Sequence, residues 1–183
     1  MLRITTPEVL DAWDERINEF ISIPSCVLTL EHSLVSISKW ESKWHKPFLS
    51  QEPKTKDEIL DYVRCMTLTQ NVNPNVYLVL SNTNIDEVTA YIKDSMTATW
   101  FGEKKSKKGE KRPKILTNEL IYYYMFELNI PKECEKWHLN RLLTLIRIFN
   151  EENKKPEKVS RKEKIAEYID INERNRARFN SKG

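Results

Sequence analysis

Residues 131–150 read PKECEKWHLNRLLTLIRIFN, and this stretch sets the expectation for the fold. At helical spacing Leu139, Leu142, Leu143, Leu145, Ile146, Ile148 and Phe149 leave only a narrow polar stripe of Asn140, Thr144, Arg147 and Glu151. A surface helix carries a narrower apolar stripe than this. The spacing therefore predicts a central helix wrapped by neighbours. A second apolar segment, residues 120–128 (LIYYYMFEL), precedes it across Asn129, Ile130 and Pro131. Proline cannot continue the first helix but suits the first turn of the second. The expected fold is mainly α, a single helical domain around a central helical hairpin, with a small N-terminal β element.

Composition agrees. The chain has 183 residues, enough for a substantial core. Its 39% hydrophobic and 10% aromatic content excludes a disordered chain, and 31% charged residues with three Gly suit helices better than a β-sandwich. No apolar run approaches the ~20 residues of a membrane span. The start, MLRITTPEVLDAWDER, lacks the apolar core of an export signal. Cys26, Cys65 and Cys134 are odd in number and far apart, which points to a reduced, cytoplasmic setting.

The net charge of +3 hides an asymmetry. Residues 103–114 hold seven Lys/Arg against two Glu, and residues 154–183 hold ten Lys/Arg against five Asp/Glu. The remainder is 13 basic against 20 acidic. An acidic body thus carries a basic loop and a basic tail, which points to an acidic partner, nucleic acid among them. The expected division is a mainly helical part over residues 1–153 and a basic C-terminal helix and tail over 154–183.

Locally, Val27 to Leu30 after Pro24 read as a strand. Residues 8–23 suit a helix or a strand, and a strand there is the expected partner for 27–30. Leu34, Ile37, Trp40 and Trp44 recur at helical spacing, predicting an amphipathic helix over 33–44. Thr55 with Glu58 forms a capping box that opens a helix over about 56–68. Val76 to Leu80 suit a single helical turn. Asn84 with Glu87 is the expected cap of a helix running to about Asp94, and Thr117 or Asn118 that of the segment before Pro131. Ser160 with Glu163 predicts a helix over 161–171 with a thin apolar face of Ile165, Tyr168 and Ile169. Residues 174–183, RNRARFNSKG, read as a tail.

Catalytic signatures are missing from the sequence. Three Gly cannot supply a phosphate-cradling loop, and there is no HExxH or paired-Cys zinc spacing. Cys134 and His138 stand four apart, but two ligands do not make a metal site. A Cys–His nucleophile pair and acid–base work by Glu31–His32 are outweighed by structural roles. The reading is not an enzyme, with no metal or cofactor. The rings of Trp40, Trp44 and Phe48 have two readings, packed core or binding groove. The basic loop, with Lys104, Lys105, Lys107, Lys108, Lys111 and Arg112, is either a solvated connection or an arm for an acidic partner. It lacks aromatics, so contacts with nucleic acid would be to phosphates.

Three segments carry a resemblance: LEHSLVSISKWESKWHKPFL (30–49), MTATWF (96–101) and ECEKWHLNRLLTLIRIFNEEN (133–153), with the ending RFNSKG. Together they resemble the tail assembly chaperones of long-tailed, siphovirus-type bacteriophages, which are encoded between the major tail protein and the tape-measure protein. The N-terminal strand region and the Lys-rich loop are that family's more variable parts. The resemblance implies a protein that transiently binds the tape measure in the host cell cytoplasm, with the major tail protein and further copies of itself as other candidate partners and no membrane involved. Partner contacts would then fall on Trp40, Trp44, Phe48, the loop cations, Arg174, Arg176 and Arg178. A nucleic-acid-binding accessory protein and a structural neck or tail component of the virion are the competing expectations.

Overall fold

The computed structural model describes residues 1–14, 18–101, 115–153, 165, 168–169 and 171–176. The expected basic loop, the cap at Ser160 and Glu163, and the last residues of the tail lie outside them. The chain forms two compact units, Met1–Phe149 and Asn150–Gly183.

The apolar run after Pro24 is strand β4 (Val27–Leu30), as its β-branched residues suggest. Its partner differs from expectation. It pairs antiparallel with β1 (Leu2–Thr5), Leu2 opposite Leu30 and Thr5 opposite Val27. The period-2 alternation puts Ile4 and Leu28 on one buried face, which selects this register. The segment assigned to pairing with β4 instead folds on itself. Strands β2 (Val9–Asp14) and β3 (Glu19–Ile23) make a separate two-stranded sheet, with Trp13 opposite Phe20.

Helix α1 (Leu34–Trp44) begins at Ser33, whose hydroxyl accepts from the Ser36 amide, while the Ser36 hydroxyl accepts from the Ser33 amide. It ends at His45, whose φ of 52° turns the chain left-handed. Helix α2 (Lys56–Met66) starts with the Thr55–Glu58 box read from the sequence. A 3₁₀ helix covers Pro74–Val79. Helix α3 (Asn82–Lys93) is capped by Ser81 rather than Asn84. Asn84 is the reciprocal partner of that box, and its Nδ2 reaches the Thr5 carbonyl at 3.1 Å, tying α3 to β1.

Helix α4 (Asn118–Glu127) does not lead into a helix at Pro131. Residues Lys132–Lys136 form a 3₁₀ turn, and α5 (Leu139–Glu152) starts only after it. The buried residues of α5 are Leu139, Leu142 and Ile146, while Leu143 and Leu145 are partly covered and Phe149 is 36% exposed. Its polar ties cluster at the first turn: the Leu139 amide donates to the His32 carbonyl, and Asn140 Nδ2 donates to the carbonyls of Ile92 and Asp94. Burial fades from there toward its C-terminal end. The element that gathers the others is α1, which packs on α2, on α4 and on the 132–136 turn. The fold is mainly helical with a small N-terminal β part. Its described centre is α1 rather than the 120–150 hairpin.

In the second unit residues 165, 168, 169 and 171–176 are helical. The helix therefore runs past Ile171, into the RNRARF stretch expected to be tail. Among the described residues no helix is long and apolar enough to cross a membrane.

Candidate partner-binding surface

The structure separates the three rings expected to line a groove. Trp40 is 1% exposed, and its Nε1 donates to the Glu58 carbonyl of α2 at 2.9 Å. Phe48 is buried against Tyr62, with ring centroids 3.9 Å apart. Trp44 is half-buried, stacked on Trp40, with Nε1 donating to Asp61 Oδ2 at 2.9 Å. Trp40 continues the buried face of Leu34 and Ile37, so helical spacing aims it at α2. Trp40 and Phe48 thus present no surface to a partner in this conformation. They join α1, α2 and the loop between them. Of the expected cations, Arg174 and Arg176 are exposed on the helical residues 171–176. Lys104, Lys105, Lys107, Lys108, Lys111, Arg112 and Arg178 lie outside the described residues.

Beside this aromatic cluster lies a buried polar junction. His32 Nδ1 is 2.5 Å from the Tyr62 hydroxyl, and the His32 ring meets that of His138 at 5.1 Å between centroids. His138 Nε2 donates to the Tyr91 carbonyl at 3.0 Å, and the Tyr91 hydroxyl donates to Glu31 Oε1 at 2.8 Å. Burial, and secondarily the neighbouring His138, push His32 down to about 3, so its ring is neutral at pH 7. Burial pushes the Tyr62 hydroxyl far up, and burial with Glu31 raises Tyr91. Every described buried side-chain nitrogen and oxygen has a hydrogen-bond partner. The junction is closed, and it holds the β4–α1 corner, α2, α3 and the start of α5 together.

A second junction could not have been read locally. Buried Glu41 accepts from the Phe48 amide at 2.7 Å through Oε1, and from the amide and Nδ2 of Asn118 through Oε2. Thr117 holds the cap position of α4 but makes no side-chain cap bond. A carboxylate 77 residues earlier does this work, favoured by the helix dipole.

Two of the thiols are shifted away from activation. Burial raises Cys134, which sits in the 132–136 turn, and burial with the nearby Asp61 raises Cys65. A nucleophilic thiol needs the opposite shift. Among the described residues no group of three or more His, Cys, Asp or Glu is placed to hold a metal ion.

What the structure presents outward was not singled out by the sequence. On the β2–β3 hairpin, Leu10 is 67%, Trp13 49% and Phe20 67% exposed. Trp13 and Phe20 are directly opposed across the strands and meet edge-on, 4.9 Å between centroids. Val9, Ile21 and Ile23 turn the other way and pack on the core. The hairpin is anchored on one face, and Leu10, Trp13 and Phe20 are exposed on it. Its signal in the sequence was an aromatic residue on either side of the charged stretch 14–19, a pattern compatible with a helix as well. Trp100, within MTATWF, is 81% exposed, and Tyr123 and Phe126 point outward from α4. No protein-family model, curated protein or solved structure matches the chain.

Proposed function

We propose that this chain is a tail assembly chaperone of a long-tailed bacteriophage, a protein without enzymatic activity that holds the tape-measure protein in the host cytoplasm until the tail tube encloses it. The reading starts from the resemblance of residues 30–49, 96–101 and 133–153. Those segments mostly build the scaffold: the start of the β4–α1 corner, α1 itself and α5. The resemblance of those segments carries the reading; the exposed apolar residues of the β2–β3 hairpin, in a part where that family varies, are compatible with it. A tape measure is a long, helix-rich chain whose apolar faces stay uncovered before assembly. A holder must offer apolar surface of its own and release it again. Leu10, Trp13 and Phe20 provide such a surface on an element that packs on the core through its other face.

The test is co-expression with the tape-measure protein of the same phage. The chain should keep that protein soluble and co-purify with it, because bound apolar segments are withdrawn from aggregation by mass action. A chain that neither binds nor solubilises the tape measure, yet is present in purified virions, would be a structural component instead. Binding of nucleic acid is the second reading, favoured by the basic residues of 154–183, with Arg174 and Arg176 exposed. It requires affinity for DNA that falls steeply with salt.

A further inference from the structure

We propose that the cleft between α1 and α2 binds a phosphate group through Lys39, Lys43 and Arg64. The site is separate from the hairpin and does not rest on the chaperone reading. The cleft measures about 430 Å³ and is lined by these three cations, Asp61 and Cys65. Lys39 and Lys43 stand one turn apart on α1, and Asp61, Arg64 and Cys65 lie in the last two turns of α2. The Trp40 Nε1 bond to the Glu58 carbonyl joins the two helices beneath. The charges are therefore presented from packed helices and not from a loop.

The charges do not balance within the cleft. Lys43 Nζ pairs with Asp61 Oδ1 at 2.5 Å, and Trp44 Nε1 donates to Asp61 Oδ2 at 2.9 Å. Both carboxylate oxygens are engaged. Lys39 and Arg64 are exposed, and among the described residues neither has a carboxylate within 4.0 Å. Three cations against one carboxylate leave two positive charges uncompensated. The fold gains nothing from this gathering, because cations at i and i+4 repel each other. It occurs on an acidic body: these are three of only 13 Lys/Arg, against 20 Asp/Glu, outside residues 103–114 and 154–183. An anion from outside would relieve the repulsion.

The side chains select the anion. A guanidinium offers a planar fork to an oxyanion, and the ammonium groups add point charges beside it. A carboxylate would leave one positive charge over, whereas a phosphate carries about −1.5 to −2 at pH 7 and matches the excess. No aromatic ring lines the cleft, so nothing there stacks on a base. The recognised group is the phosphate itself, free or in the backbone of a nucleic acid. Cys65 is a built-in reporter. Burial and Asp61 raise its thiol, while Lys39, Lys43 and Arg64 pull it down. A phosphate on the three cations cancels that pull and covers the sulfur.

The experiment follows alkylation of Cys65 in the full-length chain by peptide-resolved mass spectrometry, with Cys26 as internal reference. Inorganic phosphate and pyrophosphate should slow labelling of Cys65 several-fold, beyond the effect of acetate at the same ionic strength, and leave Cys26 unchanged. Lys39→Gln with Arg64→Gln should weaken phosphate about tenfold or more, since hydrogen bonds to charged groups are lost. Its melting curve should stay in place, because both side chains are exposed and unpaired among the described residues. Arg64→Lys, which keeps the charge and loses the fork, should fall between. A short DNA duplex distinguishes the sources. Protection of Cys65 by the duplex alone, with a salt slope reduced by about 1 in the double variant, assigns the phosphate to nucleic acid. Protection by the small anions assigns a free phosphate. The proposal is overturned if neither form protects Cys65 more than acetate does, or if the double variant is protected as well as the unaltered chain.

Discussion

Two aromatic clusters in this protein use the same residue types to opposite ends. In one, Trp40, Phe48 and Tyr62 interlock between α1 and α2, and Trp40 is 1% exposed. In the other, Trp13 and Phe20 meet across a hairpin with their outer surfaces open. Ring chemistry does not decide between core and contact surface. Coverage does. α1 has neighbours on several sides, whereas the described strands β2 and β3 pair only with each other and rest on the core through one face.

The comparison can be broken first at the buried cluster. Trp40→Ala should cost about 3–5 kcal/mol, as large-to-small changes of buried aromatics do. Chemical denaturation measures it, and a loss below ~1 kcal/mol would mean that the ring is not covered. Leu142→Ala should cost ~2–5 kcal/mol. Phe149→Ala, on the same helix but partly open, should cost much less. Equal losses would show α5 wrapped along its whole length, as its sequence suggested.

The polar junction gives a smaller, pH-dependent effect. His32 is neutral in the fold, and its unfolded value is 6.5. Unfolding therefore takes up a proton between about pH 6.5 and 3. The stabilising contribution is complete above 6.5 and is lost as pH falls through that window, by about 1.4 kcal/mol per pH unit. His32→Gln should remove this component of the acid slope while lowering stability at pH 7, where the contact with Tyr62 is lost. Denaturation midpoints at pH 7, 6, 5 and 4 for the two proteins check both signs. An unchanged slope would place the proton uptake elsewhere.

The smallest stability effect belongs to the open cluster. Trp13→Ala or Phe20→Ala should change stability by about 1 kcal/mol or less, in the range of a cross-strand pair. Thermal melts of these variants beside Trp40→Ala sharpen the contrast directly. A hairpin variant as damaging as Trp40→Ala would make the hairpin a packed element.

Several elements were legible in the sequence because their causes are local. The Thr55–Glu58 box and the three- and four-residue steps through Leu34, Ile37, Trp40 and Trp44 lie within a few residues of what they specify. The cap of α3 lies three residues before Asn84, and Ser81, Asn82, Thr83 and Asn84 are all competent caps. The choice falls to Ser81, with Asn84 completing the box and bonding a strand 79 residues away. The candidate surface was less legible. The Trp40–Trp44–Phe48 stripe is aromatic and regularly spaced, properties that suit a groove and a core alike. The hairpin rings look like an ambiguous segment until the register opposes Trp13 to Phe20.

The sequence by itself determined which segments are helical in most of the first unit, where α1 and α2 begin, and that an acidic body carries basic segments. Those follow from side-chain spacing, caps and counted charges, which act over one or two turns. Only the tertiary structure decided that β4 pairs with β1, that Glu41 satisfies the start of α4, that α1 rather than α5 is the gathering helix, and which aromatic cluster is covered. Each of these depends on what lies on the far side of a residue. That is set by chain segments tens of residues distant, and no local periodicity encodes it.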